Sequence, residues 1–371
     1  MTEAWFAPGR ANLMGEHTDY NEGVVLPFAL SRGVTAMASV RDDGLLVLRS
    51  KQVPDEPVTV SLDSLAPRSV TGWAAYPAGA AWALRAAGYR VRGASIDVDS
   101  DLPVGAGVSS SAALECSVAL ALCSLSGLPV PRRELAAIAR HAENEFVGAP
   151  TGIIDQSASL LCQEGHALLL DCGTLETAQV PFRTVTAGVS ALVIDTRVPH
   201  ALVSGEYAAR RAECERAARL LGVPALGAVT GLGRLDEIGD PVLRRRARHV
   251  VTDSARARAI AAALQVAAGT PDKGETYRFV GELLVEGHVS LRDDFEVSWP
   301  EADTAVDVAL AAGAYGAKVI GGGFGGSVLA LMPLEHARPV RAAVTEAFLA
   351  RGWTPPEFLD AIPSPPARRL S

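Results

Sequence analysis

A glycine-rich loop that runs directly into a helix is the feature that most narrows what this chain can fold into. The stretch is Leu102-Pro103-Val104-Gly105-Ala106-Gly107-Val108-Ser109-Ser110-Ser111-Ala112, and a mainly apolar run continues to Ser126 before Gly127. That pattern predicts a helix over 109–126, with a serine cap at its start and a glycine stop at its end. The first turn of a helix carries free backbone N–H groups and the positive end of the helix dipole, and both favour a bound phosphate. Gly105 and Gly107 let the main chain approach such an anion, and the hydroxyls of Ser109, Ser110 and Ser111 can bond it or a metal. No Gly-Lys-Ser/Thr follows, so this is not a Walker loop, and the protein-kinase motifs are absent as well. By itself the stretch also reads as a capped helix behind a loop.

Three further stretches carry chemistry. Pro8-Gly9-Arg10-Ala11-Asn12-Leu13-Met14-Gly15-Glu16-His17-Thr18-Asp19-Tyr20-Asn21 packs a guanidinium, two carboxylates, an imidazole and several hydroxyl and amide groups beside apolar Val24-Val25-Leu26. A polyhydroxylated ligand calls for that inventory, because each hydroxyl both donates and accepts. A polar surface turn is the plainer account. Glu143-Asn144-Glu145 closes a predicted helix, and Gly152-Ile153-Ile154-Asp155-Gln156 follows a Pro-Thr turn. Asp155 there is a carboxylate among apolar and small residues, either a base for a substrate hydroxyl or a helix cap. Gly321-Gly322-Gly323-Phe324-Gly325-Gly326-Ser327 contains Gly-x-Gly-x-x-Gly, but the following Val328 to Leu331 reads as a strand. A dinucleotide site needs a helix there, so that reading is excluded. The run implies close approach of backbone to a ligand or another segment, or a tight hairpin.

Composition bounds the rest. At 371 residues, with 49% hydrophobic and 20% charged, the chain has material for two domains and a large core. A net charge of -8 argues against nucleic acid as a partner. Arg244-Arg245-Arg246-Arg248 reads as a solvated helix face rather than a phosphate track, and lysine occurs only as Lys51, Lys273 and Lys318. The five cysteines show no Cys-x-x-Cys and no ligand spacing, which predicts buried thiols in a reducing compartment. No apolar run approaches the roughly 20 residues of a membrane helix. The start, Met1-Thr2-Glu3-Ala4-Trp5, has no features of a secretion signal. A cytoplasmic protein with no membrane partner is expected.

Strands are predicted over 33–41, 45–49, 94–98, 166–170, 189–194, 318–320 and 328–331. Helices are predicted over 109–126, 132–147, 207–221, 301–312 and 335–351. Asp240-Pro241 opens another that runs to about Ala268. Pro355 to Ser371 reads as an extended strap. Mixed strands and helices in two blocks indicate an α+β protein with a boundary near residue 185.

These motifs, in this order, resemble the GHMP kinase superfamily of galacto-, homoserine, mevalonate and phosphomevalonate kinases. Within it, Gly9 to Asn21 with Gly23 to Pro27, and Gly152 to Gln156, resemble the galactokinase family. The resemblance runs from Pro8 to about Leu331. It implies a two-lobed fold, ribosomal-protein-S5-like over 1–185 and ferredoxin-like over 186–371, with the site between the lobes. It implies a monomer whose partners are galactose and ATP, transferring the γ-phosphoryl group to the C1 hydroxyl. Asp155 and Arg10 match the catalytic pair. Glu16, His17, Asp19, Gly152, Asp155 and Tyr207 match sugar-binding positions. Gly105 to Ser111 would wrap the nucleotide phosphates, and Ser111 and Glu143 would hold Mg²⁺, an oxygen-only pair suited to that ion. Trp73 matches a tryptophan lying against adenine, with a core tryptophan as the alternative. Ile320 stands where threonine is frequent and Asp195-Thr196 where asparagine-serine is common, departures that touch loop detail only.

A kinase for N-acetylgalactosamine or arabinose would share every motif. A non-catalytic galactose sensor is a further alternative. The fungal sensor of this kind lacks a Ser-Ala pair in the phosphate loop, whereas Ser109-Ser110-Ser111-Ala112 is unbroken here.

Overall fold

A computed structural model describes residues 2–103, 105–199, 204–269 and 274–370; Met1, Val104, Lys273 and Ser371, named above, lie outside them. The chain runs β1 (Glu3–Asn12), β2 (Val24–Val25), β3 (Pro27–Arg41), β4 (Leu45–Ser50), β5 (Val58–Ser61), α1 (Ala75–Ala86), β6 (Gly93–Ser100), α2 (Ser110–Ser126), α3 (Arg132–His141), α4 (Ile154–Leu161), β7 (His166–Asp171) and β8 (Thr177–Pro181). It continues with β9 (Val189–Asp195), α5 (Ser204–Leu220), α6 (Pro241–Ala267), α7 (Gly274–Val289), α8 (Pro300–Ala311), β10 (Gly316–Ile320), β11 (Ser327–Pro333), α9 (Ala337–Ala350), β12 (Glu357–Asp360) and β13 (Arg368–Arg369).

The first sheet has the order β13-β1-β3-β6-β4-β5, and β2-β7-β8 form a smaller one. In β3 the side chains of Val34, Ala36 and Ala38 are buried while Met37 is exposed, the alternation of a sheet covered on one face. Apolar residues of α1 and α2 complete that core. The second sheet has the order β10-β11-β9-β12, all neighbours antiparallel, with α5 to α8 between β9 and β10 and α9 between β11 and β12. This is the split βαβ arrangement of a ferredoxin-like unit. All five residues of β10 are buried.

α6 ties the two cores together. Asp240 caps it, its Oδ1 accepting from Val242 N at 2.8 Å and Leu243 N at 3.2 Å. At 27 residues it spans about 40 Å. Leu243, Ala247 and Val250 near its start pack in the second core, and Ala257, Ile260, Ala261 and Leu264 near its end pack in the first. The tail is the expected strap. Ser364 N bonds Ala29 O, Ala367 N bonds Ser159 O, and β13 pairs with β1.

Several expectations are corrected. Ser109 precedes α2 with φ 61°, a left-handed conformation, and makes no side-chain cap bond. The predicted helix over 132–147 is α-helical only to His141, then widens into a π-helical stretch, Ala142–Val147, and stops at Gly148. The arginine cluster is a solvated face only in part: Arg248 is exposed and Arg244 and Arg245 are half-buried, but Arg246 is buried. Arg246 is 2% exposed and bonds Glu213, Glu296 and the Asp294 carbonyl, because the acids of α5 and of 294–296 fold onto it. Of the five free thiols four are buried, and Cys172 is half-buried.

Candidate functional site

β1 explains how the first motif works. It carries Pro8, Gly9, Arg10 and Asn12, residues that read as a turn, yet Ala7 to Asn12 are all buried. The register with β3 shifts between Pro8 and Arg10. Such a bulge re-aims the side chain that follows it. Arg10 Nε donates to Asp155 Oδ1 at 2.8 Å, and Arg10 Nη1 donates to the Gly107 carbonyl at 2.5 Å. One guanidinium thus joins the start of α4 to the glycine loop before α2. Asp155 lies in the first turn of α4, where the helix dipole favours a carboxylate.

The rest of the motif leaves β1 and turns under the second lobe. Burial pushes the Glu16 carboxyl up, and Lys318 beside it pulls it back only in part. His17 has φ 61°, with Nδ1 2.9 Å from Tyr20 Oη and Nε2 3.1 Å from the Gly322 carbonyl. Its ring lies 4.7 Å from Phe295 and 5.3 Å from Tyr207, centroid to centroid. Truncating fully buried Phe295 would cost roughly 3–5 kcal/mol and remove the wall behind His17. Asp19 is pushed up to about 6, by burial first and then by the Asp155 carboxylate. Gly152 lies directly against the Asp19 carboxylate. The Tyr207 phenol is driven well above its usual range, first by burial and then by Asp19 and Asp155. The expected sugar positions therefore converge, with Tyr207, Asp19 and Asp155 sharing one neighbourhood.

The glycine loop before α2 presents mainly backbone. Gly105 and Gly107 have φ 79° and 70°, open to glycine at little cost. The third motif packs on this loop: a Cβ on Gly321 would meet the Gly107 carbonyl at 3.2 Å, and Ser327 Oγ donates to the Ala106 carbonyl at 2.7 Å. Ser109 Oγ is buried with no protein partner among the described residues, and Ser110 and Ser111 open α2. Trp73 stands in the short helical turn before α1 and packs against the first core.

Ser111 Oγ donates to Glu143 Oε1 at 2.9 Å, and Thr151 and Gln156 both donate to Glu143 Oε2, at 2.9 and 2.7 Å. Burial pushes Glu143 up and Asp155 adds to it, and no Lys or Arg pairs with Glu143 among the described residues. A buried carboxylate without a cationic partner, bonded by a hydroxyl from the first turn of α2, is a donor set that fits Mg²⁺, which takes one or two carboxylates and fills its shell with water and other oxygens. No cluster of three or more His, Cys, Asp or Glu that could hold a metal occurs among the described residues.

Sequence reasoning missed a set of supporting residues. From α6, His249 Nε2 lies 3.0 Å from the Glu16 carbonyl, Asp253 Oδ2 accepts from Gly15 N at 2.9 Å, and Ser254 Oγ accepts from Val24 N at 3.2 Å. Lys318 and Glu115 were missed too. Glu115, fully buried on α2 and pushed well up by burial, accepts from Gln156 Nε2 at 3.3 Å. Polar residues on the inward face of α6, and isolated charges in apolar elements, were the available signals.

Residues 2–40 match the galactokinase galactose-binding signature, 75–163 the GHMP kinases N terminal domain, and 276–350 the GHMP kinases C terminal model. The galactokinase of Streptomyces coelicolor is 48% identical over 370 residues, covering 99% of this chain and 94% of that protein. That of Mycobacterium tuberculosis is 43% identical over 358 residues, covering 96% of each. The crystal structure of Lactococcus lactis galactokinase complexed with galactose superposes with a TM-score of 0.93 at 33% identity, covering 100% of this chain and 95% of that one. Methanococcus jannaschii mevalonate kinase, at 16% identity and TM-score 0.65, shares the fold. Identity of this extent along nearly the whole of both chains leaves one placement: the chain belongs to the galactokinase family of the GHMP kinases.

Proposed function

We infer that this chain phosphorylates galactose at its C1 hydroxyl with ATP as donor, yielding galactose 1-phosphate and ADP. The observation that carries this reading is Arg10, bonded to Asp155 on one side and to the glycine loop on the other, within a segment matching a galactose-binding signature. Asp155 accepts the C1 hydroxyl proton as the sugar oxygen bonds the γ-phosphorus and the bond to the β-phosphate oxygen breaks. Arg10 orients the Asp155 carboxylate and offsets charge on the moving phosphoryl group. Glu16, His17, Asp19, Gly152 and Tyr207 hold the sugar. Gly105, Gly107, Ser109, Ser110 and Ser111 cradle the phosphates through backbone N–H and hydroxyl groups, and Trp73 lies on the adenine side. Ser111 and Glu143 would hold Mg²⁺, which neutralises charge on the phosphate oxygens. Positioning and charge stabilisation carry most of the catalysis, since phosphoryl transfer asks little covalent chemistry of the protein.

A cytoplasmic setting belongs to the same proposal, supported by five free thiols. Among the described residues no helix is long and apolar enough to cross a membrane. A coupled ADP-release assay over galactose, N-acetylgalactosamine, arabinose and glucose, with NMR of the product, tests the assignment. Turnover of galactose with phosphate at C1 is expected. No turnover of galactose beside turnover of another sugar, or phosphate at C6, would overturn it.

A further inference from the structure

Lys318 sits in the middle of β10 and its side chain is 0% exposed. An ammonium withdrawn from water is tolerated only with a close anionic partner and further hydrogen bonds. Lys318 Nζ donates to Glu16 Oε2 and, at 3.5 Å, to the Asn12 carbonyl. Glu16 Oε1 in turn lies 3.4 Å from Gly321 N, the first amide of the third motif. The next residue, His17, is held left-handed with Nε2 near the Gly322 carbonyl. One buried ion pair therefore joins the strand before the glycine run to the segment matching the galactose-binding signature. None of these contacts involves Ser109 to Ser111, Glu143 or Trp73, and Gly321 meets the glycine loop through backbone alone, at the Gly107 carbonyl.

We propose that Lys318 is a positioning residue for the sugar: through Glu16 it fixes the turn at His17 against the glycine run, and so sets sugar affinity and not nucleotide affinity. This rests on the reading of the first motif as the sugar-binding segment. Without Lys318, the Glu16 carboxylate would lose the cation that contacts it, the one such cation among the described residues, and protonation or movement would follow. Both would loosen the turn that carries His17 and Asp19. A merely structural lysine would lower stability and leave the two substrate constants in proportion.

The test compares the full chain with Lys318→Met and Lys318→Arg, after thermal unfolding confirms that each is folded. Lys318→Met should raise the KM for galactose by about tenfold or more and leave that for ATP within about twofold. Calorimetry should show the same loss of galactose binding. Lys318→Arg, which restores a cation, should recover most of it. If Lys318→Met does not fold, Lys318→Gln, which keeps a donor but no charge, carries the comparison. Unchanged galactose affinity in a folded neutral variant, or equal losses for both substrates, would overturn the proposal. If the unaltered protein turns over another sugar and not galactose, the functional assignment fails instead, and the same constants measured with that sugar decide the role of Lys318.

Discussion

Gly152 lies so close to Asp19 that a methyl group on its Cα would stand 1.7 Å from Asp19 Oδ2 and 2.2 Å from Cγ. The turn leading into α4 can thus approach the Asp19 carboxylate only because no side chain intervenes. Gly152→Ala should push that carboxylate aside while leaving the phosphate loop untouched. The expected result is a galactose KM raised by about tenfold or more with the ATP KM nearly unchanged. Steady-state kinetics with each substrate varied in turn checks this, and equal effects on both would remove the specific link.

The upward shift of Asp19 predicts a pH dependence whose sign can be worked out. Its folded value, about 6, lies above the ordinary 3.8. The stability linked to this group is therefore fully present below the ordinary value and is lost as pH rises through about 6. Asp19→Asn should flatten that part of the stability profile and make the sugar-free protein more stable near neutrality. Galactose binding should respond in the opposite direction, because the ionised carboxylate is the better acceptor for a sugar hydroxyl. Affinity should fall on acidification below about 6, approaching tenfold per pH unit. Calorimetry across that range reads the slope, and an equal slope in Asp19→Asn would assign the titration to another group.

Arg10 and Asp155 should separate binding from turnover. Asp155→Asn keeps the size but not the base, and general-base catalysis is typically worth about 10²–10⁴-fold, so kcat should drop in that range with both substrates still bound. Arg10→Lys should also lower kcat. A single ammonium cannot match the guanidinium fork that reaches Asp155 and the Gly107 carbonyl together. Near-normal turnover in folded Asp155→Asn would make Asp155 a structural cap.

What was legible in the sequence, and what was not, follows from how each signal is encoded. Dense polar motifs beside apolar runs stand out locally, so Arg10, Asp155 and the glycine loops could be named before any fold. The strand around Arg10 could not, because Pro8 and Gly9 read as turn residues and only a register shift reconciles them with a ladder. α1 was missed for a similar reason: Pro77 lies in its first turn, and Gly79, which packs on Phe146, lies inside it. The polar face of α6 shows its periodicity in sequence, but Asp253 meets Gly15 across 238 positions, and spacing along one helix does not name a distant partner. Lys318 looks like any lysine in a short strand until its burial against Glu16 is seen. Arg246 was misread because its acidic partners come from α5 and the segment after α7.

Tyr207 should contribute to the choice between galactose and glucose, which differ in the configuration of one hydroxyl. Its ring lies 5.3 Å from His17 and 5.5 Å from Tyr20, centroid to centroid. Its phenol, raised well above its usual range by burial and by Asp19 and Asp155, stays a neutral donor at any assay pH. A donor held beside two carboxylates makes a polar corner that fits one arrangement of hydroxyls. An inverted hydroxyl would leave these groups unpaired, at about 1–3 kcal/mol for each buried group left unsatisfied, and two such groups give several powers of ten in specificity. Tyr207→Phe removes only the hydroxyl, so it should lower kcat/KM for galactose and narrow the gap to glucose. Nucleotide affinity should not change, since Tyr207 lies on α5, outside the phosphate loop. Measuring kcat/KM for both sugars in the unaltered and variant proteins decides it. An unchanged ratio would take the specificity role from Tyr207 and leave Asp19 as the residue that reads the hydroxyl.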